Sequence, residues 1–519
     1  MPPEPRNALY EKGLALSARG RHHEAIEHYE RALAAHPGDT RVLFALGNTA
    51  RALGMAAPAE QFYRQVLAFE PGRLEAIVNL ANLLRAGGQM DAAIALLEPA
   101  LARAPDSAEL HLTLGSAWRE KGDNERAIAC TRAALAARPD YAPALSNLAD
   151  LLCDAGEREE GRTLYDRAIK ADPKNPQARL NRAILHLLSG ELKEGWRDYA
   201  ARLDVPGKFP ATEQRLAPWT GGTLNRVRLL VRAEQGIGDQ ILFASLIPDL
   251  AARAAREGGS VLLECEPRLA PLFARSFPDV TVRPASIKTV EGAPVADYGW
   301  LKAAGGANAA IPMGSLPRYL RGDIAAFPNP HAFLKPDTEE AALWRIIFGP
   351  GAIGVCWRSG KTGGHRAVQY APLEAWGEFL RDLPGTPVCV QYDAQPEEIA
   401  VLERMSGRQI LVPQGIDQKN ELDRTCALLS ALDFVVSAPT AVSWLAAGAG
   451  VKTLKILYDT SWTALGQDHE PFAPSCICVT PKSRGDWADA FAQAIALIGD
   501  ARSEPRHGYR RYAGLSLAG

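Results

Sequence analysis

The chain has 519 residues, 47% of them hydrophobic and 23% charged, with a formal net charge of −2. That length exceeds what one hydrophobic core supports, so several domains are expected, and the composition is that of an ordinary globular protein. The near-neutral balance gives no electrostatic reason to expect nucleic acid or an anionic membrane surface as a partner. The opening Met-Pro-Pro-Glu-Pro-Arg lacks the apolar core of a secretory signal, and no run of about 18 apolar residues is present to cross a membrane. The eight cysteines are scattered, and the close pair Cys476 and Cys478 has no further ligands at zinc-site spacing. Reduced thiols, no metal and a cytoplasmic chain are therefore expected.

The first half carries a repeat. Pro37, Pro71, Pro105, Pro139 and Pro173 recur every 34 residues. Ahead of each, in fixed register, stand a small residue (Ala25, Ala59, Ala93, Ala127, Gly161), a space-filling one (Tyr29, Tyr63, Leu97, Thr131, Tyr165) and a third apolar one (Ala32, Val66, Ala100, Ala134, Ala168). The small residues let two helices approach closely, the larger one fills the gap, and proline ends the second helix. This pattern resembles the tetratricopeptide repeat, an α-solenoid. Five clear repeats and an imperfect sixth, with Gly195, Trp196 and Tyr199 in register and Gly207 in place of proline, are expected over residues 1–205. Asn79, Asn147 and Asn181 share one repeat position, and Asn82 lies a turn beyond Asn79. Amides in such a row can hydrogen-bond the backbone of an extended peptide, although asparagine is also simply common at that position. Either way the arm is expected to bind a protein.

Periodicity stops in a turn-rich linker, residues 206–225. From Val227 onward strands and helices alternate. Val227–Val231 reads as a buried strand, followed by Arg232-Ala-Glu-Gln-Gly-Ile-Gly-Asp-Gln240 and a helical run through Leu250. Ser260–Cys265 and Val280–Arg283 read as strands, Pro267–Ser276 as a helix, and Asp297–Leu301 and Ala310–Pro312 as strand-and-loop candidates. Further on, Ala352–Trp357, Pro387–Gln391, Gln409–Val412, Phe434–Ser437 and Thr453–Leu457 read as strands. Helices are expected near Thr338, Leu373–Leu383, Pro396–Met405, within Glu421–Leu432, after Thr440 and at Trp487–Ile498. Two strand–helix series imply two parallel sheets with helices on both faces, residues 226–336 and 337–519. Ligands of such folds bind beyond the carboxyl ends of the strands.

The repeat arm ending in Glu194-Gly-Trp-Arg-Asp-Tyr199, the Pro218-Trp-Thr-Gly-Gly222 lead-in and the Arg232–Gln240 loop together resemble bacterial repeat-fused glycosyltransferases. Those enzymes pair two Rossmann-like domains in the GT-B arrangement, are related to the heptosyltransferases, and share their layout with the O-linked N-acetylglucosamine transferases. Val78-Asn-Leu-Ala-Asn82 and Ser146-Asn-Leu-Ala-Asp150 are similar to the repeats of the latter, in which such asparagines hold acceptor polypeptide. The stretches Cys356-Trp-Arg-Ser-Gly, Gln418–Arg424 and Ser437–Trp444 are similar to a subgroup implicated in glycosylating flagellin with nonulosonic acids.

The resemblance implies a metal-independent transferase that uses a nucleotide sugar as substrate and holds no cofactor. It places a catalytic base at Asp239, whose other reading is a helix N-cap, with Glu234 in reserve. Gly236 and Gly238 read as the tight phosphate-side loop, with unusual backbone angles expected there. Arg358, Lys361 and Arg366 stand after a buried strand, where a guanidinium can pair with a donor phosphate; their other reading is a solvated basic loop, with His365 an exposed member of it. Thr440 reads as a phosphate contact or a cap, and Asn420 as a nucleotide-loop contact or a cap. The chain departs from the heptosyltransferase Ser-x-Asp-Thr-Ser-x-x-His pattern, with Pro439 in place of the aspartate and Trp444 in place of the histidine. That departure puts an ADP-heptose donor in doubt and would suit a CMP-nonulosonate. The function expected is sugar transfer to Ser or Thr of a protein acceptor such as flagellin. The alternatives are a glycan- or lipid-saccharide-directed transferase, and a non-enzymatic repeat adaptor with a decayed transferase half.

Overall fold

A computed structural model describes residues 6–205, 210–212, 216–290, 293–327, 332–360 and 369–503. The chain forms two compact units, Met1–Asn181 and Arg182–Gly519.

The first unit is a solenoid of antiparallel helix pairs. Helices His22–Ala35, Ala56–Phe69, Met90–Arg103, Asn124–Ala137 and Arg158–Ala171 each end two residues before one of the periodic prolines. The expected small-to-large packing is present: a methyl group at Gly13, Gly47 or Gly115 would stand within 2.8 Å of Tyr29, Tyr63 or Thr131, at the same repeat position each time. Ala25, Ala59, Ala93 and Ala127 are completely buried. A second 34-residue signal accompanies the prolines. Gly20, Gly54, Gly88, Gly122 and Gly156 all take left-handed backbone angles between paired helices, where a side chain would be strained.

The sixth helix pair differs from the others. Arg182 onward, with the helix Leu192–Tyr199 and a 3₁₀ turn over Ala200–Asp204, belongs to the second unit. Trp196 and Tyr199 are buried there against Trp462 and Phe472 of that unit, and Arg202 against Glu234. The sequence boundary at residue 205 therefore follows the repeat register, whereas the packing boundary falls earlier. Gly207 lies outside the described residues.

The second unit contains thirteen strands among the described residues. In its first half these are β1 (Ala211–Thr212), β2 (Ala217–Pro218), β3 (Arg228–Arg232), β4 (Ser260–Cys265), β5 (Thr281–Pro284), β6 (Ile287–Val290), β7 (Ala293–Ala296) and β8 (Ala309–Pro312). The second half adds β9 (Ala352–Cys356), β10 (Thr386–Cys389), β11 (Phe434–Ser437), β12 (Lys452–Ile456) and β13 (Cys476–Val479). Two parallel five-stranded sheets result, in the orders β2-β8-β3-β4-β5 and β10-β9-β11-β12-β13. Strands β9 and β11 are buried along their whole length, the pattern of a sheet covered on both faces. A small sheet, β1-β7-β6, stands apart.

Several sequence readings shift. The run from Asp239 to Leu250 is two helices, Ile237–Ala244 and Ile247–Glu257, because Pro248 cannot continue the first. Gln409–Val412 makes an isolated bridge through Leu411 to Val388 rather than a strand. Asp297–Leu301 ends in a 3₁₀ turn, and the β6–β7 hairpin is a strand pair that alternation did not reveal.

Candidate functional site at the carboxyl ends of the sheets

In each sheet the chain winds outward from a central strand and then returns to that strand's other side. The reversals lie between β3 and β8 and between β9 and β11. Loops beyond the carboxyl ends of those strands part at such points and leave a crevice. The loops after β3 and β8 are joined by Glu234, which accepts a hydrogen bond from the Gly314 backbone N–H. Strand β3 leads through Ala233–Gly236 into the helix Ile237–Ala244, and β11 leads through Ala438–Thr440 into the helix Ala441–Gly448.

These two helix starts meet. A methyl group at Gly238 would lie 3.5 Å from Trp444 Cδ1 and 3.9 Å from the Ala441 nitrogen, ordinary contact distances that place the two helix starts side by side. Elsewhere between the lobes, Arg268 donates to the Lys419 carbonyl at 3.0 Å and Arg275 pairs with Asp423. The Phe333 and Leu334 N–H groups both reach the Gly448 carbonyl.

Asp239 is half-buried in the first turn of its helix, where its Oδ2 accepts the Gly236 N–H at 3.1 Å. Gly236 has no side chain to return the bond, so only half of a capping box forms. Gly236 has ordinary extended angles (φ −83°). The left-handed residue of the loop is instead Gln235, φ 61°, a conformation that a glutamine holds only when its surroundings fix it. The expected glycine strain is therefore displaced by one residue.

Glu234, the reserve base, is held in a buried ion pair in this arrangement. Arg202 grips it through Nε to Oε2 at 3.0 Å and Nη2 to Oε1 at 2.6 Å, and both side chains are almost wholly buried. The Arg202 guanidinium also donates to Ser315 Oγ at 2.9 Å and to the Tyr199 carbonyl at 3.2 Å. Beside it the Tyr199 hydroxyl and the Gln235 side-chain amide exchange hydrogen bonds at 3.1–3.3 Å. Burial raises the Tyr199 phenol well above its ordinary pKa, so it stays protonated and hydrogen-bonds as a neutral group.

Arg358 departs furthest from expectation. Its Nε and Nη2 pair with Glu398 at 2.6 and 2.7 Å, and Nη1 reaches Asp393 at 3.0 Å. The hydrogen bonds to Glu398, reinforced by Asp393, raise its pKa and hold its charge inside the lobe. Two carboxylates thus occupy the guanidinium fork expected to meet a phosphate. Gln391 completes this group: its Oε1 accepts from the Trp357 and Arg358 backbones at 3.0 Å, and its amide donates to Asp393 at 2.8 Å. Lys361, His365 and Arg366 lie outside the described residues.

Thr440 is buried, and its hydroxyl accepts the Val442 N–H at 3.3 Å, capping the Ala441–Gly448 helix. Ser437 Oγ and the Cys356 thiol lie 3.3 and 3.6 Å from the same oxygen. Burial pushes that thiol up to about 11, so it is a neutral packing group. Asn420 is exposed and donates to Asp417 at 2.8 Å, closing the loop ahead of the helix Leu422–Ser430 instead of capping it. Trp444, the residue at the heptosyltransferase histidine position, has the Lys455 ammonium 4.8 Å from its ring centre. Lys455 is itself buried and paired with Glu470, beside the Ser461 and Thr463 hydroxyls.

The solenoid asparagines join repeats to one another. Asn79 Nδ2 donates to Asn48 at 2.9 Å, Asn147 to Ser116 at 3.3 Å and Asn181 to Asp150 at 2.9 Å, each pair 31 residues apart. Asn82 accepts from Arg85 at 2.7 Å. The row is a polar ladder along the solenoid, and one amide hydrogen of each rung is engaged within the protein.

Among the described residues no group of three or more His, Cys, Asp or Glu side chains converges as a metal site, and no helix is long and apolar enough to cross a membrane. These features define a tetratricopeptide-repeat protein continued by an α/β unit of two parallel sheets. Models of the tetratricopeptide repeat match residues 5–69, 78–142 and 119–180.

The chain is 32% identical over 305 residues to Protein FlbA of Caulobacter vibrioides, a match covering 58% of this chain and 50% of that protein. It thus spans about half the length of the curated relative it matches. Among solved structures it is similar to a thermophilic TPR protein of Thermus thermophilus, with 28% identity, 36% of this chain and 100% of that one covered, and a TM-score of 0.32. It is also similar to Pseudomonas aeruginosa pilF, with 20% identity, 39% and 92% covered, and a TM-score of 0.34.

Proposed function

We propose that the chain is a glycosyltransferase of the GT-B kind. It moves a sugar from a nucleotide donor to a Ser or Thr hydroxyl of a protein selected by the repeats, with flagellin the acceptor implied by the family resemblance. The observation that carries this reading is the meeting of the Gly236–Asp239 turn with the Thr440–Ala441 helix start beyond the carboxyl ends of two parallel sheets. In the reaction Asp239 takes the proton of the acceptor hydroxyl as its oxygen bonds the sugar's anomeric carbon, and the nucleotide leaves with the bonding electrons. The backbone N–H groups and dipole at the second helix start favour the departing phosphate's charge. A CMP-nonulosonate donor fits Pro439 in place of the aspartate, since an aspartate there would repel the donor's own carboxylate. The transfer is metal-independent, as the resemblance implies, and the site lies in a cytoplasmic protein.

A non-catalytic adaptor is the second reading, and it is favoured by the commitment of Arg358 to Glu398 and Asp393. Intact-mass measurement of flagellin from strains with and without the gene tests the acceptor, and the same measurement with Asp239→Asn in place of deletion separates a transferase, which loses the sugar, from an adaptor, which keeps it. A sugar-sized loss of mass on deletion supports flagellin as the acceptor, whereas an unchanged mass refutes it.

A further inference from the structure

Four side chains around the Ala233–Asp239 turn do more than fill space. A buried ion pair is a poor way to gain stability, because desolvating both charges offsets most of their attraction and apolar packing serves as well. What it does supply is direction. Arg202 holds Glu234 in bidentate geometry and ties it to Ser315 in the loop after β8. Glu234 is anchored in turn to the Gly314 N–H. The next residue, Gln235, has the left-handed backbone that turns the chain into the helix carrying Asp239, and its side chain is held by the Tyr199 hydroxyl. Tyr199 is itself fixed by Trp462, ring centres 5.5 Å apart, and by the Arg202 guanidinium 4.7 Å from its ring. The two side chains that reach the turn from outside it, Tyr199 and Arg202, come from a helix and a 3₁₀ turn that the sequence assigns to the repeat arm.

We propose that Tyr199 and Arg202 are positioning residues for the site: they set the backbone of Ala233–Gly238 and thereby aim the Asp239 carboxylate. The inference rests on the transferase reading only for its kinetic consequence. It also means that a repeat-free version cut at residue 205 would lose turnover through the site itself, whatever the acceptor.

The test uses full-length Tyr199→Phe, which removes one hydroxyl and keeps the ring, and Arg202→Lys, which keeps the charge and removes the fork. Hydrogen exchange by mass spectrometry should show the 233–239 amides exchanging about tenfold faster in both variants, with β3 and β4 unchanged. With a nucleotide-sugar panel and the protein acceptor, kcat should fall about tenfold for Tyr199→Phe and about a hundredfold for Arg202→Lys, with donor KM within about twofold of wild type. Unchanged exchange in Tyr199→Phe overturns the proposal, as does faster exchange with wild-type kcat. If Arg202→Lys fails to fold, Tyr199→Phe alone decides. A wild-type protein inactive across the panel, with faster loop exchange in the variants, refutes the transferase reading and leaves the loop positioning supported.

Discussion

The solenoid and the α/β unit both bury polar side chains, but they do so on opposite plans. In the solenoid each polar rung reaches one repeat away: Asn79 to Asn48, Asn147 to Ser116, Asn181 to Asp150. In the α/β unit the networks are ionic and their spans irregular: Arg202 reaches Glu234 and Ser315, 32 and 113 residues on, and Arg358 reaches Asp393 and Glu398, 35 and 40 residues on. Removing a rung should therefore be local and cheap, and removing a network member costly, because it strands a buried charge.

The largest effect expected is from Arg202→Ala, which leaves Glu234 charged and uncompensated. Denaturant unfolding of the full chain should show a loss of about 3–5 kcal/mol. A loss under about 1 kcal/mol would mean that the pair is not the buried keystone described. Next is Arg358→Ala, which frees Glu398 and Asp393 at a half-open position. A loss of about 1–3 kcal/mol is expected with little change in nucleotide-sugar affinity, measured by calorimetry. A large affinity loss without destabilisation would return Arg358 to the donor site. Asn79→Ala should cost only about 1 kcal/mol, the value of a single neutral hydrogen bond.

The smallest effect concerns pH. Burial raises the Asp150 carboxyl above the ordinary aspartate value despite its bonds to Tyr165 and Arg119. A raised pKa means that the folded solenoid binds the proton more tightly than the unfolded chain does. The stability this gives is full below the ordinary value and fades as pH rises through the raised one. Asp150→Asn should remove that decline, so between about pH 4 and about pH 7 its melting temperature should change less than that of wild type, read by circular dichroism. An identical pH slope in both proteins would contradict it.

The same contrast explains what the sequence made legible. A 34-residue period exposes the solenoid because each repeat must solve the same packing problem, and the prolines, small residues and left-handed glycines recur with it. The ten strands of the two large sheets include both central pairs, which hydrophobic runs revealed, whereas the edge strand β2 and the β6–β7 hairpin carry no such run. The Gly236–Asp239 turn was readable as a strand-to-helix loop. Its restraint was not, because Tyr199 and Arg202 look like ordinary members of a sixth repeat. Arg358 shows the converse: a basic residue after a buried strand matches a phosphate contact, and only the fold brings Glu398, 40 residues further along, back to neutralise it.

In the proposed transfer the Gly236–Asp239 turn carries the base. That role is tested most directly by full-length Asp239→Asn, which preserves shape and removes the proton acceptor. With purified acceptor and a nucleotide-sugar panel, wild type should add a sugar's mass to the acceptor, and Asp239→Asn should be slower by about a thousandfold or more at unchanged melting temperature. Equal mass gain from both proteins would contradict the account.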